Sequence, residues 1–78
     1  MKSFTLEEIS KHNTLEDCYI IIDNNVYDMS NFSHPGGPII LNYAGIDATK
    51  IFKEIHNPHI IKKFKKNIIG LVINNSKL

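Results

Sequence analysis

His34-Pro35-Gly36-Gly37 is the stretch that decides how this chain is read, together with His56, which follows it across an apolar segment. Proline fixes φ and glycine frees it, so the tetrapeptide makes a sharp, reproducible bend. Pro38 suits the first turn of a helix. Ile39, Ile40, Leu41 and Tyr43 continue it as a short helix that ends at Ala44-Gly45. Asp47 is a good N-cap for a second helix over residues 48–54. Ala48, Ile51, Phe52 and Ile55 recur there at i, i+3, i+4 and i+7 and share one face. Each histidine therefore stands beside a turn or a helix end, at the edge of a space that Phe32, Ile40, Leu41, Phe52, Ile55, Ile60 and Phe64 are placed to line.

Two imidazoles across an apolar space suit a flat, apolar, iron-bearing macrocycle held from both faces. Axial ligands, burial and nearby hydrogen bonds are the levers a protein has over haem iron. Two strong ligands from His34 and His56 leave no open position at the metal and favour one-electron shuttling. On spacing alone, a turn histidine and a helix-end histidine with no shared ligand fit equally well. A zinc site is a third possibility, with His34, His56 and His59 supplying nitrogens and an acid completing the set. His56 and His59 are three residues apart and can face one metal. Such a site, however, calls for no ring of phenylalanine and isoleucine. Nucleophilic catalysis has little support, since Ser30 and Ser33 lie near His34 without an acid or an oxyanion loop pattern. Gly36-Gly37 lacks the flanks of a phosphate loop.

Size makes a cofactor attractive. A single domain of 78 residues buries only about 60% of the surface its unfolded chain exposes, and domains this small usually need a staple. Cys18 is the only cysteine, which excludes an internal disulfide, cysteine-pair zinc sites and covalent C-x-x-C-H haem attachment. At 42% hydrophobic and 22% charged residues the composition is that of a globular domain. The net charge of +1 gives no strong pull towards nucleic acid. No apolar run approaches the roughly 18 residues of a membrane span, and Met1-Lys2-Ser3-Phe4-Thr5 is no signal peptide. The expectation is a soluble, cytoplasmic, monomeric protein, residues 1–78 forming one domain with a core at about 4–73.

The remaining elements follow in order. Thr5-Leu6-Glu7-Glu8 fits a capping box and opens a helix over residues 5–12, stopped by Asn13-Thr14. His12, near its C-terminus, is a surface histidine favoured by the helix dipole. Cys18 to Ile22 and Val26 to Met29 flank an asparagine pair, Asn24-Asn25, and make a β-hairpin. Ile20-Ile21-Ile22 does not alternate, so that strand is buried on both faces, with Cys18 a small hydrophobe at its start. Ser30 to Ser33 form a connector. Asn57-Pro58 starts another helix, with Ile60, Ile61 and Phe64 on one side and Lys62, Lys63, Lys65 and Lys66 largely on the other. Four lysines so close could suggest a docking patch, but a solvated face is the favoured reading. Ile68 to Ile73 form a last strand, and a frayed tail begins at Asn74. The order predicts an α+β fold, one mixed sheet with short helices inserted between its strands.

From about Thr5 to Val72 the chain resembles the haem-binding domain of the cytochrome b5 family. The resemblance rests on Thr5-Leu6-Glu7-Glu8-Ile9, Val26-Tyr27-Asp28-Met29, His34-Pro35-Gly36-Gly37, Ala44-Gly45-Ile46-Asp47-Ala48-Thr49, Phe52 and His56. Ile55-His56-Asn57-Pro58 looks more like the flavocytochrome and fungal branch than the microsomal one. The resemblance implies a small cytochrome b5-like fold whose short helices form a haem cleft. It implies non-covalent haem b (iron protoporphyrin IX), with His34 and His56 as iron ligands. Ile22, Met29, Phe32, Ile40, Leu41, Phe52 and Ile55 match pocket-lining positions. Pro35 and Gly36 belong to the ligand motif, and Asn57 stands where the family often hydrogen-bonds a haem propionate. It further implies an electron carrier and not an enzyme, with a flavoprotein reductase as donor and an oxidising enzyme as acceptor. A non-redox haem-binding or interaction module of the same fold is the alternative. The microsomal members carry a necklace of carboxylates around the haem edge. Pro38, Ile39, Asn42 and Lys50 occupy much of that region here.

Overall fold

Two adjacent residues with positive φ, Asp23 (52°) and Asn24 (67°), set the geometry of the sheet. Positive φ at both central residues defines the hairpin turn whose twist matches that of its strands, and short polar side chains tolerate it. The computed structural model describes residues 2–33 and 38–73, and their side chains except those of Pro38 and Ile39. His34, Pro35, Gly36 and Gly37, and the tail expected from Asn74, lie outside the described residues.

Around that turn Tyr19–Ile22 (β2) pairs antiparallel with Asn25–Asp28 (β3). The hairpin is the expected one, but its turn falls one residue earlier than the asparagine pair suggests, and Asn25 already belongs to β3. Ile68–Ile73 (β4) pairs antiparallel with β3, and Lys2–Thr5 (β1) pairs parallel with β4. The mixed sheet has the order β1-β4-β3-β2. β1 has no counterpart in the sequence reading, because only Phe4 of its four residues is buried and one apolar residue makes no period. Gly70 lets β1 in. A Cβ there would stand 2.7 Å from the Phe4 ring and closer still to the Lys2 carbonyl, the close backbone approach that a strand glycine often marks.

β2 is buried on both faces, as its isoleucine run implies. Ile20 and Ile22 join Cys18, Tyr27, Met29, Ala44 and Ala48 in one core. Ile21 joins Phe4, Ile9 and Val26 in the other. The second core is closed by a helix at Leu6–Ser10 (α1), which buries Ile9 completely. α1 starts with the expected capping box: Thr5 N–H donates to the Glu8 carboxylate at 2.8 Å, and Glu8 N–H donates to Thr5 Oγ1 at 3.0 Å. That bond from the Thr5 backbone is the main reason the Glu8 carboxyl is held below its ordinary value. α1 is shorter than expected. His12, beyond its end, owes its place to partners as well as to position: Nδ1 lies 2.6 Å from Asp17 Oδ1, and the ring stacks on Tyr19 with centroids 3.8 Å apart.

The chain then crosses the outer edge of β2. Gly45 N–H donates to Tyr19 O (2.6 Å), Ile21 N–H to Ile46 O (3.1 Å) and Ala48 N–H to Ile21 O (2.8 Å). The segment from Gly45 to Ala48 thus covers an edge that would otherwise expose unpaired backbone groups. Gly45 sits at φ +81°, and a Cβ there would be 3.1 Å from Ser10 O; both facts call for glycine. A second helix follows at Thr49–Ile55 (α2), displaced by one residue from expectation. Its N-cap is Ala48, but Asp47 still does the capping: its carboxylate accepts from Thr49 N–H at 2.9 Å and from the Thr49 hydroxyl at 2.6 Å. Two 3-10 helices complete the fold, Pro38–Tyr43 and Pro58–Asn67. The second is opened as expected by Asn57, whose Oδ1 accepts from His59 N–H at 2.9 Å, with Pro58 at the first helical position.

Because β1 depends on the missing side chain at position 70, Gly70→Ala should cost about 1–3 kcal/mol of stability, the usual range for overpacking. Urea unfolding of the two proteins measures this directly.

Candidate functional site

The face of the hairpin opposite α1 carries a cleft of about 500 Å³, within the usual range for small-molecule sites. Its floor is Ile20, Ile22, Tyr27 and Met29 from β2, β3 and the residue after β3. One wall is α2 with its flanks, which presents Ala48, Ile51, Phe52, Ile55 and His56. The helical period that groups the first four in the sequence is the one that aims them at the cleft. The opposite wall is the second 3-10 helix, with Ile60, Ile61, Lys63 and Phe64; Ile40 and Tyr43 of the first 3-10 helix, and Phe32, also line the space. Phe32 and Phe64 meet edge to face, centroids 5.2 Å apart at 87°, an arrangement favoured by the ring quadrupole. The connector is thereby held against the second 3-10 helix.

His56 is placed by the way α2 ends. Its N–H still donates to Phe52 O at 2.9 Å, while its own backbone is extended (φ −109°, ψ 146°), so the helix stops there. The ring stacks on Phe52 with centroids 4.4 Å apart and planes at 26°. The side chain lines the cleft with Nδ1 buried. His59, by contrast, is exposed and is not on the cleft wall. Among the described residues no three His, Cys, Asp or Glu side chains are grouped to hold a metal ion. Burial pushes the Tyr27 phenol above its ordinary value, only partly offset by a hydrogen bond with Asn25. The phenol is therefore uncharged at neutral pH. Burial likewise raises the Cys18 thiol, as suits a small hydrophobe 1% exposed.

Most of the apolar side chains named from the sequence come together. Ile22, Met29, Phe32, Ile40, Phe52, Ile55, Ile60 and Phe64 all line the cleft. Leu41 does not: it is 37% exposed. The three-residue repeat of a 3-10 helix puts Ile40 and Tyr43 in one row and turns Leu41 aside. Asn57 is also absent from the lining, its carboxamide being used to cap the second 3-10 helix. His34, Pro35 and Gly36 lie outside the described residues.

The lining also includes residues not named from the sequence as cofactor contacts. Ile51, Ala48 and Ile61 share faces with residues that were named. Ile20 is two positions from Ile22 and on the same side of the strand. Tyr43 follows Ile40 by one 3-10 turn. Tyr27 required the strand pairing, and nothing in the local pattern singles out Lys63.

A mixed sheet with short helices standing around an apolar cleft, one imidazole on its wall, defines a small α+β domain with a site for an apolar ligand that a nitrogen donor can reach. The family model described as Cytochrome b5-like Heme/Steroid binding domain matches residues 5–73, and the chain belongs to that family. It is 52% identical over 58 residues to probable cytochrome b5 1 of Schizosaccharomyces pombe, covering 70% of this chain and 47% of that protein. It is 49% identical over 63 residues to the L-lactate dehydrogenase (cytochrome) of Wickerhamomyces anomalus, covering 77% of this chain and 11% of that one. The chain thus spans less than half the length of either relative. Among solved structures, the cytochrome b5 of Ostreococcus tauri virus 2 superposes with a TM-score of 0.78 at 45% identity, covering 87% of this chain and 81% of that one. The family resemblance and the α+β fold expected from the sequence are both confirmed.

The cofactor of a cytochrome b5 domain is b-type haem. The cleft fits such a group in its own right: its lining is almost wholly aliphatic and aromatic, and it holds the imidazole of His56, a nitrogen donor of the kind that binds haem iron. Among the described residues no helix is long and apolar enough to cross a membrane.

A charge placed on the apolar wall should be felt by the cofactor. Ile61→Asp is expected to weaken hemin binding about tenfold or more, because a carboxylate is costly to desolvate. Titrating hemin into the wild-type and variant proteins gives the ratio.

Proposed function

We propose that this domain is a one-electron carrier in which His34 and His56 ligate a haem iron from opposite sides. The observation that carries this reading is His56 itself, its ring stacked on Phe52 and its Nδ1 buried at the wall of an apolar cleft. Bound there, haem supplies a one-electron couple between ferric and ferrous iron. The protein supplies orientation and surroundings. The end of α2 fixes the backbone of His56 and the Phe52 stack sets its ring plane. Ile51, Phe52, Ile61 and Phe64 exclude water, which leaves few dipoles to reorient when charge changes. With two imidazoles committed, no position is left for an exogenous ligand, and the chemistry is confined to electron exchange. The L-lactate dehydrogenase (cytochrome) relative, of which this chain matches a small part, is by its name a dehydrogenase joined to a cytochrome, which supports an enzyme that oxidises its substrate as electron donor. A flavoprotein reductase as donor and an oxidising enzyme as acceptor are the partners we propose.

Hemin added to the purified domain should give a low-spin spectrum that dithionite converts to the ferrous bis-imidazole form. His56→Ala should be high-spin or haem-poor, and His34→Ala likewise. A His56→Ala spectrum matching the wild type would remove His56 as a ligand. A domain that binds hemin but resists reduction would favour a non-redox module of the same fold.

Cofactor binding should also appear in stability. A ligand that binds only the native state, at a thousand times its dissociation constant, adds about 4 kcal/mol. The melting temperature should therefore rise clearly when hemin is added, and equal values would contradict the coupling.

A further inference from the structure

All eight aspartates and glutamates of the chain precede residue 55, while five of its nine lysines follow it. The net charge of +1 therefore conceals a polarity. Four of those lysines stand on the second 3-10 helix, where three residues make one turn and positions i and i+3 eclipse. Ile61 and Phe64 form one row that faces the cleft, and Ile60 and Lys63 of the adjoining row also border it. Lys62 and Lys65 form a second row, and Lys63 and Lys66 a third. All four lysines are exposed, and none forms an ion pair among the described residues. Like charges stacked on one helix repel, so the fold gains nothing from this arrangement, and a partner of opposite charge would relieve the repulsion. Lys63 also lines the cleft, so the cationic surface begins at the cleft mouth.

The chemistry of the face narrows the partner. A helix that lies on a membrane needs an apolar side free to enter the lipid, and here Ile61 and Phe64 are already turned to the cleft. The chain has no arginine, the residue best suited to bidentate phosphate contacts. Lysine ammonium groups on a rigid, exposed helix suit carboxylates on another protein, with attraction that steers the encounter and weakens with salt. We propose that the two lysine rows of the second 3-10 helix are a docking surface for a protein with a carboxylate-rich face, seated at the mouth of the cleft. Its purpose rests on the carrier reading above, since it would bring a redox partner beside the cofactor.

The test uses the haem-loaded domain and its K62Q/K65Q/K66Q variant; Lys63 is kept because it lines the cleft. Each is titrated calorimetrically with poly-L-glutamate as the probe. The wild type should bind, less tightly as salt is raised, and the variant should bind about tenfold or more weakly, with the hemin spectrum unchanged. Equal binding by the two proteins overturns the proposal. So does tighter binding of the wild type to vesicles of phosphatidylserine and phosphatidylcholine in equal parts, or to an oligonucleotide duplex, either of which would assign the surface to lipid or nucleic acid. A domain that binds polyglutamate through these lysines yet takes no electron from dithionite keeps the docking surface and loses the carrier function.

Discussion

The backbone hydrogen bonds between β2 and the segment from Gly45 to Ala48 hold the rest of the structure in place. They fix where α2 begins, and α2 is one wall of the cleft. A seven-residue helix has no stability of its own, so its position must come from its tether. The tether is doubled at the helix start. Thr49 Oγ1 donates to Asp47 and accepts from Asp23 N–H at 2.8 Å. Lys53 reaches the Asp23 carboxylate at 2.8 Å, although an exposed pair of this kind adds at most about 1 kcal/mol. The hairpin turn and the helix start are thus one hydrogen-bonded unit. Phe52 and His56 take their positions from it through the helix, without filling the space beneath them.

That arrangement explains how so small a protein keeps a cavity. The sheet has two cores, and only one is closed. α1 seals the face with Ile9, Val26 and Ile21. On the other face Ile20, Ile22, Tyr27 and Met29 are covered from the sides, by α2 and the second 3-10 helix, and the space between is apolar. Close packing is the norm in protein interiors, and an apolar space of this size is a place for a ligand rather than a packing fault. Membership of the cytochrome b5-like family identifies the ligand class as haem.

Much of this was legible in the chain and some was not, for physical reasons. Capping and turn signals are local, so Thr5-Leu6-Glu7-Glu8, Asn57-Pro58 and the hairpin could be read directly. The apolar face of α2 obeys a simple period, so Phe52 and Ile55 could be placed on the cleft. Leu41 was misplaced because sequence does not reveal that Pro38–Tyr43 is wound with three residues per turn. β1 was missed because its place is made by Gly70, at the far end of the chain. Asp47 was recognised as a cap, yet its second role, orienting Thr49 towards the hairpin turn, depends on tertiary contact. Tyr27 and Lys63 reach the cleft for the same kind of reason, through pairing and winding that no local pattern encodes.

The strand order has a consequence for how the molecule is assembled in time. β4 is the last strand in sequence among the described residues, and it lies between β1 and β3. Translation delivers roughly 5–20 residues per second, so β1 is made seconds before β4, its one neighbour in the sheet among the described residues. Until then the hairpin can form, being local, but β1 has nothing to pair with. The sheet can be completed only once β4 is present, because that strand pairs with β1 on one side and β3 on the other.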